Sequence, residues 1–111
     1  MGLNSIHHHT MIFATTQRKA EEKLNELATK LDGDIVYRTK DIIKTKDKTI
    51  KARRWSENCR GYRFKEVYVD SFIDHRCVDE CILPYLMSPA HWNGDWDEEQ
   101  KWNWREHVHY F

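Results

Sequence analysis

Residues 11–33 read MIFATTQRKAEEKLNELATKLDG, and this stretch decides the fold. Met11–Thr15 is a short apolar run suited to a buried strand. Thr15 or Thr16 then offers a capping hydroxyl. Beyond it, Ala20, Leu24, Leu27, Ala28 and Leu31 recur at i, i+4, i+7, i+8 and i+11, the single apolar stripe of a helix packed on one side. Glu26 precedes Lys30 by four residues, the favourable order for an ion pair on a helix surface. Asp32-Gly33 ends the pattern, with Gly33 free to take the left-handed conformation that closes a helix. A strand running directly into a helix over Gln17–Leu31 predicts an α/β chain.

Working outward, Asp34–Thr39 (DIVYRT) reads as a strand, and Asp41–Thr45 (DIIKT) extends it or forms another. After the polar turn Lys46-Asp47-Lys48, the segment Thr49–Trp55 alternates as a strand with one wet face does. Ser56–Tyr62 reads as a loop, and Phe64–Asp70 (FKEVYVD) as a strand centred on Val67, Tyr68 and Val69. In Ser71–Met87 the apolar residues Phe72, Ile73, Cys77, Cys81, Ile82, Tyr85 and Leu86 have helical spacing, which Pro84 bends or ends. The order predicts a small mixed sheet of about four or five strands with two main helices and a Trp-rich C-terminal segment. Residues 1–10 read as a leader or tag-like segment, so His7, His8 and His9 are set aside. Residues 11–88 form the α/β domain, and 89–111 a Trp-rich acidic segment that packs on the domain or on a partner.

Composition narrows the class. With 111 residues the chain builds one modest core. Charged residues reach 32%, but aromatics at 13% are too frequent for a disordered tail. No apolar run is long enough to span a bilayer, and no signal-peptide pattern opens the chain, so no membrane association is expected. Three cysteines, Cys59, Cys77 and Cys81, without disulfide-framework spacing point to a reducing compartment. The expected location is the cytoplasm, or the interior of a host cell if the chain is viral.

The net charge of zero hides a segregation. Residues 38–65 hold 11 basic and 3 acidic side chains (+8), whereas residues 66–99 hold 1 basic and 9 acidic (−8). The two blocks neutralise each other across the fold, or the basic one meets phosphates. Lys44, Lys48, Lys51, Arg53, Arg54, Arg60 and Arg63, with Trp55 for base stacking and Tyr37 and Tyr62 interleaved, suit a nucleic-acid surface. A solvated edge hairpin guarded by lysines has the same composition. Four of the five tryptophans, Trp92, Trp96, Trp102 and Trp104, fall in the last 20 residues. With Asp97 and Glu98 they suit either docking to a protein or a segment folded back on its own domain.

The stretch CRGYRFKEVYVD, residues 59–70, resembles the segment that leads into the Walker B strand of phage terminase large subunits and related P-loop ATPases. The likeness covers roughly Arg53–Phe72. It implies that Asp70 stands where the family holds Mg²⁺ through water, while Ser71 stands where the family has the glutamate that activates the attacking water. The chain has four glycines and no G-x-x-x-x-G-K-[ST] loop, so nothing cradles the β- and γ-phosphates. The resemblance therefore implies a degenerate ATPase core kept for binding.

Other residue sets offer chemistry. Cys59, His75, Cys77 and Cys81 comprise a zinc-like set, although Cys77 and Cys81 also lie on the apolar stripe, where thiols act as small hydrophobes. His91, His107 and His109 are a second set whose default is surface histidine. Asp70 and Asp74 suit a metal-dependent phosphohydrolase or nuclease, although carboxylates at a strand-to-helix junction are also favoured by the helix dipole. No metal and no cofactor is expected. The sequence thus favours a small non-enzymatic binding protein, phage-like, that engages nucleic acid or a nucleic-acid-processing protein and acts by occlusion. The alternative is the enzyme using Asp70 and Asp74.

Overall fold

The computed structural model describes residues 8–56, 63–88 and 101–111. Its centre is the predicted strand-to-helix unit. Strand β1 (His8–Ala14) runs into helix α1 (Gln17–Lys30). Thr16 caps the helix, its backbone extended and its hydroxyl accepting from the Lys19 N–H at 3.1 Å. Leu31 closes the other end, and Gly33 takes the left-handed conformation at φ 93°. Thr16→Ala removes a partner from one of the unpaired N–H groups of the first turn. It is expected to cost about 1 kcal/mol, read as a lower urea midpoint at unchanged slope.

Four further strands precede the C-terminus of the sheet's core: β2 (Ile35–Arg38), β3 (Ile42–Thr45), β4 (Lys48–Arg54) and β5 (Glu66–Val69). With β6 (Val108–Tyr110) they form one six-stranded mixed sheet in the order β2-β3-β4-β1-β5-β6. Strands β4, β1, β5 and β6 run parallel to one another, while β3 pairs antiparallel with β4 and β2 antiparallel with β3. The strand count exceeds the expectation by β6, too short a pattern to stand out beside the neighbouring tryptophans. The sheet also takes in residues at both margins of the expected domain. His8, His9 and Thr10 pair with Lys48, Thr49 and Ile50, and Val108–Tyr110 pair with Val67–Val69.

Two cores lie on opposite faces, because alternate residues of each strand point opposite ways. On one face Ile12, Ala14, Ile43, Ile50 and Ala52 pack under Ala20, Leu24, Leu27 and Ala28 of α1. On the other, Met11, Phe13, Val67, Val69 and Val108 pack against Phe64, Ile73, Val78, Ile82 and Leu86. The segment supplying this second layer is not the continuous helix its spacing suggests. It is a chain of short pieces: α2 (His75–Cys77), a π-turn over Val78–Ile82 and a 3₁₀ turn over Leu83–Tyr85. Asp74 delays the start by capping at its side-chain carboxylate, which accepts from the Arg76 N–H at 2.9 Å. Pro84, which has no N–H to donate, lies inside the final tight turn.

Candidate functional site

The parallel strands end where β1 passes into α1 and β5 passes into the segment that follows it. In open α/β sheets this carboxyl edge, at the strand where connections diverge to both sides, is where ligands bind. Here β1 is that strand, with β4 on one side and β5 on the other. Asp70, the residue after β5, is completely buried at this edge. Its Oδ2 accepts from the Thr15 N–H at 3.0 Å and from the Thr15 hydroxyl at 2.8 Å. Its Oδ1 accepts from the Phe72 N–H at 3.0 Å and pairs with Lys19 Nζ at 2.7 Å.

Four donors fill the roughly four lone-pair positions of one carboxylate. Burial by itself raises the Asp70 pKa, but the bonds from Lys19, the Phe72 N–H and both Thr15 groups outweigh it and hold the carboxyl well below the usual carboxylate range. Lys19, in the first turn of α1, and the Thr15 donors just ahead of its cap are thus turned onto an internal anion. Lys19 also lies 4.6 Å from the centre of the Phe72 ring, which is largely exposed. Asp74, the other carboxylate of the pair read from sequence, is engaged in capping on the far side of Ser71–Ile73. No sequence signal links Thr15 and Lys19 to Asp70. They are 55 and 51 residues apart, and only the β1–β5 pairing brings them together.

The basic residues of the β3–β4 hairpin do not share one surface. Register sorts them. Lys51 is flanked by Met11 and Ile42, Arg53 by Phe13, and Lys44 by Thr49 and Tyr37. These three cations therefore lie on the face opposite α1. Lys48 and Arg54 alternate to the α1 face, where Lys48 lines a cavity of about 160 Å³ with Leu27, Ile50, Glu66 and Tyr68. The backbone N–H of Arg54 donates to Gln17 Oε1 at 2.8 Å, tying the end of β4 to the helix. Trp55 returns to the first face, its ring set edge-on to Phe13 with centroids 5.2 Å apart. Arg63 is exposed beside Tyr85–Met87, and Arg60 lies outside the described residues.

Tyr37 completes the Lys44–Lys51–Arg53 face. Its ring is 51% exposed, and Lys44 Nζ lies 5.5 Å from the ring centre. Among the described residues, Lys51 and Arg53 have no carboxylate at ion-pair distance.

The Trp-rich segment is described only in part: Trp92, Trp96, Asp97 and Glu98 lie outside the described residues. Trp102 packs against the second core, as Leu83 and Tyr85 do, and stacks on His107, with centroids 5.2 Å apart. Trp104 is more exposed, with the Arg105 guanidinium 4.9 Å from its ring. The end of the chain is thus built into the fold: His109 stacks on Tyr68 and bonds Glu66 at 3.2 Å. Of the zinc-like set, Cys81 is buried and Cys77 packs against the second core, while Cys59 lies outside the described residues. Among the described residues no three His, Cys, Asp or Glu side chains converge as a metal-holding group. No helix is long and apolar enough to cross a membrane.

Fold and site together define an α/β sheet with helical layers on both faces and a cationic, aromatic patch over β2, β3 and β4. Compared with protein-family models, curated proteins and solved structures, the chain matches none.

Proposed function

We propose that this chain is a small binding protein that engages nucleic acid through the face of β2, β3 and β4 and acts by occupying its target. The observation that carries the reading is the clustering of Lys44, Lys51 and Arg53 beside Tyr37 on one sheet face. Cations on adjacent strands meet successive phosphates, and an exposed ring beside them accepts a base. The state of Asp70 supports binding without chemistry. Both its oxygens are committed to protein donors, so holding a metal or activating water would first require breaking the junction of β1 with α1. The likeness of Arg53–Phe72 to terminase-like ATPases is consistent with a phage-like core of this kind, retained for binding.

Quenching of tryptophan fluorescence by DNA and RNA, followed as a function of salt, tests the proposal. If each of the three cations neutralises one phosphate, the slope of log K against log salt is about −2.7 on duplex and about −2 on single strands. Lys51→Ala/Arg53→Ala is expected to weaken binding and to make that slope shallower by about 1.4–1.8. No quenching by any of these nucleic acids at low salt would overturn the reading.

A further inference from the structure

Strand β2 carries an irregularity with a functional consequence. Ile35 pairs with Thr45, yet Tyr37 pairs with Lys44 and Arg38 with Ile43. Uninterrupted antiparallel pairing would set Tyr37 opposite Ile43, on the face covered by α1. The extra residue, Val36, is a β-bulge that moves Tyr37 to the other face, beside Lys44. Val36 itself is 72% exposed and gains no burial from its position. What the bulge achieves is the aim of the tyrosine.

From this we infer that the nucleic acid bound is single-stranded, with one base stacked on Tyr37 and the adjoining phosphates held by Lys44, Lys51 and Arg53. The inference rests on the reading given under Proposed function and narrows it. An exposed ring on a flat face is of little use to a duplex, whose bases are stacked inside and reached only through the grooves. A duplex groove admits a protruding helix or a two-stranded ribbon, and its major groove is about 12 Å wide. The open part of this face is three strands across, β2, β3 and β4, and it is bounded at β1 by the layer that covers Met11 and Phe13, so it rests on a duplex from outside instead of entering a groove as a ribbon does. Single strands present unstacked bases to flat sheets bearing aromatic rings, with cations along the backbone path.

The test compares a short mixed-sequence single strand with the same sequence as a duplex, using the full chain and its Tyr37→Ala and Tyr37→Phe variants. Tyr37 is half exposed, so thermal melts of the variants are expected to overlay the parent. The single strand is expected to bind at least tenfold more tightly than the duplex. Tyr37→Ala should reduce single-strand affinity roughly 5- to 150-fold, leaving the salt slope unchanged, and Tyr37→Phe should restore it. Equal binding of duplex and single strand, or Tyr37→Ala without effect, would overturn the single-strand inference and leave the broader reading standing. Absence of binding to either at low salt would overturn both.

Discussion

Asp70→Ala is expected to destabilise the fold by about 3–5 kcal/mol, the usual cost of removing one partner from a buried charged network. The side chain is fully buried, and its loss leaves the Thr15 N–H and the Phe72 N–H without acceptors at the junction of two strands and a helix. Lys19 is about one-third exposed, so water screens its share, and most of the loss comes from the donors of Thr15 and Phe72. For a domain stable by about 5–15 kcal/mol this is a large fraction of the total.

The pH dependence separates charge from shape. A carboxyl whose pKa is lower in the folded than in the unfolded chain stabilises the fold fully above its unfolded value, near 4, and loses that contribution as the pH falls toward the folded value. The isosteric Asp70→Asn should therefore differ most from the parent at pH 7, and the gap in urea-unfolding free energy should narrow toward pH 3. A gap of constant size between those pH values would show that the ionised carboxylate is not the source of the stabilisation.

The second large effect is expected on the opposite face of the sheet. Phe13 is 1% exposed and stands edge-on to two rings, Trp55 at 5.2 Å and Phe64 at 6.2 Å between centroids. Phe13→Ala removes the common partner of both rings and leaves a cavity between β1 and the residues that cap it. The expected cost is about 3–5 kcal/mol, with Phe13→Leu recovering much of it. At roughly 4–8 °C per kcal/mol for a domain of this size, the alanine variant should melt more than about 12 °C below the parent. Because Trp55 loses a packing partner, its emission should also shift to the red. A melting temperature within a few degrees of the parent would show that Phe13 does not tie these layers together.

The two variants probe different links of the same chain of causes. Phe13 tests whether the core under the β4 end of the cationic face holds that face in shape, since Arg53 is its neighbour in register. Asp70 tests whether the carboxyl edge is closed by an internal anion. If Asp70→Asn folds and retains nucleic-acid binding, the edge is a structural lock and the sheet face acts independently of it.

Local sequence by itself determined the elements that local energetics control. The stripe from Ala20 to Leu31, a capping threonine at 15 or 16 and Gly33 were sufficient for α1, because spacing, capping and backbone freedom act within a few residues. The strand segments and the concentration of positive charge between Arg38 and Lys65 were legible for the same reason. The long helix expected over Ser71–Met87 illustrates the limit: its apolar spacing picked out Ile73, Cys81, Ile82 and Leu86, which are buried, but included the exposed Phe72 and passed over the buried Val78, and Asp74 and Pro84 divided the backbone into separate turns. The distribution of the basic residues between two faces, the bulge that aims Tyr37, the pairing of Val108–Tyr110 and the four bonds to Asp70 were decided only by the tertiary structure. Each depends on register between segments far apart in the chain, where a shift of one residue turns every side chain to the other face and carries no mark in the local pattern.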